Sequence, residues 1–367
     1  MKLFECQSCG NTLHFDNRTC VECGHRLGYI ADAFIVSAVE PVGDQWRALA
    51  DPTRSFFFCS NAENDACNWL VPIEPGNAAA GPTLCACCRH NKLVPDLSDP
   101  KHFAAWLALE HAKHHLFYSL MRWKLPLPDR TEDPQGGLAF EFLADVAKPD
   151  GRVDHVMTGH DNGIITLNIS EADDAEREKL RVAMGEPYRT LLGHFRHEIG
   201  HYYWDHLVRD GQWLQRCREL FGDDREDYGE ALKRHYENGA PADWQNHYIS
   251  SYASTHPWED FAETWAHYMH MVDALETAYA FGLVIRPKGR QNRELQASVA
   301  FDPYTSGGID DLIRAWVPVT VALNSLNRSM GQPDLYPFVL PDAVNAKLGF
   351  IHDVVRGARA LEQRNAA

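Results

Sequence analysis

His197-Glu198-Ile199-Gly200-His201 sets two histidines four residues apart with a glutamate between them. On a helix this spacing puts both imidazoles one turn apart on one face, where they can share a zinc ion, and leaves Glu198 beside the ion's open position. A metal so held lowers the pKa of its water toward neutrality, and the neighbouring carboxylate can carry a proton from that water to a leaving amine. Leu192, Phe195, Ile199 and Tyr202 recur at spacings of three or four, while His194, His197, His201 and Asp205 fall on another face. The pattern predicts a buried helix with a polar catalytic face. A third protein ligand is still required. Downstream, Trp258-Glu259-Asp260-Phe261-Ala262-Glu263 offers two glutamates four apart, opposite the apolar stripe of Phe261, Trp265, Tyr268 and Val272.

Nine of the ten cysteines precede residue 90. In a chain without a secretion signal such crowding points to metal rather than disulfides. Cys6-Gln-Ser-Cys9-Gly10 and Cys20-Val-Glu-Cys23-Gly24 are paired zinc knuckles, and Cys6, Cys9, Cys20 and Cys23 form one structural four-cysteine site. So short a unit has little apolar core, so its metal must supply folding energy. A second structural site is expected from Cys59, Cys67, Cys85 and Cys88, with Cys87 in place of Cys85, or His90 in place of one thiolate, left open by the spacing. Cys217 stands alone in a helical stretch and reads as a core residue.

These residues need elements to hold them. The pattern predicts a short strand at 34–39, an irregular loop around Pro72, Pro75, Gly76, Gly81 and Pro82, and a helix over 102–123. His111, His114 and His115 lie on that helix and read as solvated or capping, because no acidic or cysteine partner is spaced to join them. Strands are expected at 138–143 and 163–169, then a helix from about Pro187 to Val208. The remainder reads as helices broken at 239–241, Pro287 and Pro303, with one over 309–327 whose Trp316 is core. The expected fold is α+β: a mostly helical catalytic domain at 99–367 with small strands, preceded by a zinc ribbon at 1–29 and a second cysteine module at 30–98.

The helix pair resembles the gluzincin class of metallopeptidases, whose second helix gives a glutamate ligand and an acidic group four residues on. The resemblance implies Glu259 as third ligand, with Glu263 hydrogen-bonding a ligand histidine from behind; Asp260 or Glu263 as the ligand is the alternative. Residues 252–265 are similar to the corresponding helices of anthrax lethal factor, where a tyrosine precedes the ligand glutamate by seven residues. Here that position is Tyr252, which implies a phenol donating to the oxyanion, a role for which Tyr248 and His256 compete. A wider resemblance, to a bacterial family of zinc-binding metallopeptidases with an N-terminal zinc ribbon, covers nearly the whole chain. It rests on the paired knuckles, Cys67-Asn68-Trp69, Cys85-x-x-Cys88-Arg89, Val94-Pro95-Asp96-Leu97, the His-Glu-Ile-Gly-His-Tyr-Tyr helix, Pro257 through Glu263, and Leu323-Asn-Ser-Leu-Asn-Arg328.

Thirty-five basic against 51 acidic residues leave a net charge of −16, which argues against a duplex nucleic-acid binder. No apolar run approaches a membrane span, and the start lacks a signal-peptide pattern, so a cytoplasmic location is expected. The leading expectation is a zinc endopeptidase acting on protein or peptide substrates, with one catalytic and two structural Zn²⁺. The other, motivated by roughly 90 residues of cysteine modules that hydrolysis does not demand, is a protein-binding or regulatory zinc module with a silent or latent peptidase site.

Overall fold

Helices and several small sheets alternate along the chain in a computed structural model that describes residues 1–73, 83–148, 150–183, 188–289 and 293–365. The fold is α+β, with the four-cysteine sets N-terminal. Among the described residues no helix is long and apolar enough to cross a membrane. The chain divides into two units: Met1–Arg122, Leu127–Thr158 and Gly163–Asp173 form the first, and Trp123–Pro126, Gly159–Asn162 and Asp174–Ala367 the second.

The first unit opens with a small hairpin, Phe4–Glu5 against Thr12–Leu13. Five antiparallel strands follow in sequence order: Arg26–Ile30, Ile35–Val42, Gln45–Ala48, Asp51–Phe58 and Leu70–Pro72. The Tyr29 N–H donates to the Asn68 carbonyl at 2.8 Å, curling the first strand toward the last. Ile30, Val39, Ala48, Phe56 and Leu70 fill the interior. A Cβ on Gly28 would fall 2.5 Å from Leu70 Cγ, so this close approach needs glycine. Only one strand was legible in this stretch, because Pro41, Pro52 and interspersed charges break the alternation that marks a strand. The expected strand at 34–39 runs instead over Ile35–Val42, with Phe34 in the turn at φ 52°. Of the expected loop, Pro72 ends a strand, while Pro75, Gly76, Gly81 and Pro82 lie outside the described residues.

Helix α1 (Pro100–Trp123) starts where the Asp99 carboxylate accepts the Lys101 N–H at 2.7 Å. It buries Trp106, Leu109, Leu116, Phe117 and Leu120. Ala139–Leu143 pairs in parallel with both Asn91–Leu93 and Ile164–Asn168.

The second unit is mostly helical: α2 (Asp174–Ala183), α3 (Leu191–Tyr203), α4 (Leu214–Phe221), α5 (Tyr228–Asn238), α6 (Pro257–Ala280), α7 (Ile309–Ser329) and α8 (Asp342–Asn365). Pro187, the expected start of the motif helix, lies outside the described residues; α3 begins after Thr190, whose Oγ1 accepts the Gly193 N–H at 3.0 Å. A π-helical turn, Trp204–Arg209, continues α3 to the expected end. α6 is the central helix, packed by α3, α4, α7 and α8. Its Trp265 stacks on Tyr203 at 5.1 Å, and Phe195, Ile199, Phe261 and Tyr268 are fully buried. α5 ends at Gly239 with φ 73°, and Cys217 and Trp316 are both buried. The strand packed on α3 within this unit is Gly159–Asp161.

Candidate metal centres

Cys6, Cys9, Cys20 and Cys23 converge. Gly10 and Gly24 take left-handed φ of 77° and 75°, and their N–H groups close the turns on the carbonyls of Cys6 and Cys20, each at 2.8 Å. Sγ of Cys6 lies 3.7 Å from that of Cys23, and Cys9 Sγ 3.6 Å from Cys20 Sγ. Four sulfurs about 2.3 Å from one zinc stand about 3.8 Å apart, so the set fits the ion. Backbone N–H groups of Cys23 and His25 lower the thiol pKa of Cys20 and Cys23, that of Cys23 to about 6. Cys9 is exposed, and the site sits at the surface.

Cys59, Cys67, Cys85 and Cys88 form a second such set, all buried, with Cys67 and Cys85 sulfurs 3.8 Å apart. The N–H of Trp69 reaches Cys67 Sγ at 3.3 Å, that of Cys85 reaches Cys59 at 3.4 Å, and that of Cys88 reaches Cys85 at 3.4 Å. Cys87 is buried outside this set beside His114. His90 donates from Nδ1 to the Leu138 carbonyl at 2.9 Å and packs on Phe117. Neither joins the four sulfurs.

The reading of His114 as solvated or capping is overturned. It is buried, donates from Nδ1 to the Glu110 carbonyl at 2.6 Å, and holds Nε2 3.6 Å from Cys88 Sγ. Burial opposes its protonation, yet the Cys87 and Cys88 sulfurs hold its pKa above the ordinary value. Folding brings residue 88 to residue 114, a proximity that spacing along the chain does not reveal. By contrast His111 is exposed and accepts from Arg18 at 2.8 Å, while His115 is half-buried and, against that reading, has an acidic partner in Asp16 at 2.9 Å.

The third set is His197, His201 and Glu259. α3 presents both imidazoles, whose Nε2 atoms stand 3.1 Å apart; Glu259 Oε2 lies 3.0 Å from that of His197 and 3.4 Å from that of His201. Ligands about 2.0–2.1 Å from a tetrahedral zinc are separated by about 3.3 Å, so these three atoms fit three corners. All three residues are buried, and Glu259 Oε2 has no hydrogen-bond partner, a cost that a cation there would remove. Glu198, on the same turn, is also buried with an unpartnered Oε2. The helices can approach because Gly200 faces α6: a Cβ there would fall 2.9 Å from Ala262 Cα.

Behind the set, His197 Nδ1 donates to Glu263 Oε1 at 2.8 Å, which fixes Nε2 as the atom free to bind metal. Burial opposes ionisation of Glu263, yet the His197 hydrogen bond and charge hold its pKa down at about 2. Asp260 is turned away: Lys347 Nζ lies 2.5 Å from Oδ2, and burial pushes the carboxyl up to about 7. Of the three acidic candidates, only Glu259 reaches both histidine Nε2 atoms.

Among the three oxyanion candidates, His256 is occupied as the N-cap of α6, its Nδ1 accepting from Trp258 N–H at 3.1 Å and its Nε2 donating to the Glu226 carbonyl at 3.1 Å. Tyr248 lies with Lys347, whose Nζ is 4.4 Å from its ring. Tyr252 is beside the set, its ring 6.0 Å from that of His197. Two residues escaped the sequence reading. Tyr228 donates to Glu259 Oε1 at 2.7 Å, and Ser250 donates to Glu263 Oε2 at 2.6 Å. Both precede α6 and carry no motif; only their delivery by the fold marks them.

Residues 102–354 match the family described as "Putative zinc-binding metallo-peptidase", and residues 3–99 match a "zinc-ribbon domain" that takes in both four-cysteine sets. The chain is 42% identical over 358 residues to an uncharacterized protein of Mycobacterium tuberculosis, covering 97% of this chain and 95% of that one. The same figures hold for an uncharacterized protein of Mycobacterium bovis. No solved structure matches the chain.

Proposed function

Because the chain belongs to this zinc-binding metallo-peptidase family, we propose that it is a zinc-dependent endopeptidase whose centre is His197, His201 and Glu259, with structural zinc in each four-cysteine set. The observation that carries the proposal is the convergence of three buried ligand atoms within 3.4 Å of one another beside Glu198. Zinc, when bound there, supplies Lewis acidity toward the scissile carbonyl. Glu198 takes the proton of the attacking water on its unpartnered oxygen and returns it to the leaving amine. Glu263 fixes the tautomer and direction of His197, and Ser250 holds Glu263. Tyr252 donates its phenol proton as a hydrogen bond to the developing oxyanion. The substrate is an extended peptide, and Gly159–Asp161, packed on α3, is the strand whose backbone it pairs with.

Two measurements test the reading. Zinc per chain should fall from about three ions to about two in His197→Ala/His201→Ala, as the ligand sets require. Glu198→Gln should keep the full zinc content and lose peptide hydrolysis by at least about a hundredfold. An unchanged zinc count in the double variant, or full activity in Glu198→Gln, would overturn the assignment.

A further inference from the structure

A carboxylate can offer a metal one oxygen or two, and a four-coordinate site with an open position needs one. Glu259 is 2% exposed, so water is a poor candidate to hold its second oxygen. That oxygen, Oε1, instead accepts the Tyr228 phenol at 2.7 Å, while Oε2 alone faces the two histidines.

Tyr228 is not a stray neighbour. It is the first residue of α5, whose start is fixed by the Asp227 side chain accepting the Glu230 N–H at 2.9 Å. The preceding carbonyl, that of Glu226, accepts from Nε2 of His256, and Nδ1 of the same ring caps α6, the helix that carries Glu259. A carbonyl only accepts, so His256 Nε2 holds the hydrogen and Nδ1 is the acceptor that the cap requires. One imidazole therefore ties the backbone bearing the phenol to the backbone bearing the carboxylate. The Tyr228 ring also meets His256 edge-on at 5.4 Å and Trp258 at 5.9 Å, and Trp258 in turn lies 3.9 Å from the His201 ring.

Resting on the zinc-site reading above, we propose that Tyr228 is the positioning residue for Glu259: its phenol occupies Oε1, holds the carboxylate to one metal bond through Oε2, and so keeps the fourth position open. Tyr228 is committed to the ligand, and the phenol of Tyr252 meets that of Tyr228.

The test uses the full chain and Tyr228→Phe, which removes one oxygen. A chelator strips the histidine–glutamate site, leaving zinc in the buried cysteine set as a check on folding, and Co²⁺ is then titrated back. In the variant the freed Oε1 joins the metal, the coordination number rises, and the visible absorption per cobalt falls relative to wild type. Zinc affinity at this site, measured by chelator competition, weakens about tenfold. An unchanged cobalt spectrum overturns the proposal, since a residue that merely packs would leave coordination as it was. Failure of the wild type to take up metal at this site overturns the parent reading and this one with it, whereas normal uptake with identical spectra overturns only this one.

Discussion

The two four-cysteine sets share a ligand chemistry and differ in almost everything around it. The first is assembled within 18 residues, has an exposed cysteine, and is held by its own two glycine turns. The second gathers ligands across 30 residues, with strands on either side of its first pair, and every sulfur is buried. Four thiolates on one Zn²⁺ sum to −2, a charge that water can solvate at the first site and cannot reach at the second. Polar groups of α1 stand there instead: His114 beside Cys88, and Lys113 and Glu110 in a fully buried pair at 3.0 Å. The first site is thus local in its ligands, although Phe15 packs its ribbon onto Tyr29 and Tyr118 of the same unit, whereas the second is part of that unit's core.

The largest expected effect contrasts one ligand from each. Cys67→Ser should remove an ion and destabilise the first unit by about 4 kcal/mol or more, because a buried metal site contributes folding energy directly. Cys9→Ser should also remove an ion yet leave the remaining melt within about 1 kcal/mol of wild type. Zinc analysis and urea melts of both variants measure this, and equal losses would erase the distinction.

This difference also explains what could be read in advance. The first set was legible because Cys-x-x-Cys-Gly is both the ligand spacing and the turn. His197 and His201 were legible for a similar reason, since helix periodicity alone sets them on one face. Tyr228, Ser250 and His114 were not, because each meets its partner across at least 13 residues that do not form one regular element. The five-stranded sheet was hidden by its own prolines and charges, while α1 and α7 followed from their apolar periods to within about three residues.

Next in size is the buried pair. Lys113 is wholly inaccessible, bridges Glu110 and the Asn91 side chain, and lies 5.6 Å from the Phe140 ring. Lys113→Met strands Glu110 as an unpaired buried charge and should cost about 3–5 kcal/mol. Adding Glu110→Leu should recover most of that loss if the two charges serve only one another. If the double variant regains its melt but still releases zinc faster from the second set, the pair also serves the metal site, which sharpens the contrast with the first. A single variant as stable as wild type would instead show that water reaches the pair.

The smallest effect isolates the metal's neighbour from the fold. His114 donates from Nδ1 to a carbonyl, so its ring is oriented by α1 with Nε2 toward Cys88, and Trp69 packs against it at 5.3 Å. His114→Gln retains a donor of roughly similar reach but loses the rigid ring. It should weaken zinc at Cys59, Cys67, Cys85 and Cys88 by about tenfold while leaving the first set unaltered. Chelator-driven release followed by alkylation and mass spectrometry assigns each freed thiol to its site. Faster alkylation confined to the second set would place α1 in the zinc site's own architecture. Release from the second set at the wild-type rate would mean that burial, and not this imidazole, holds its zinc.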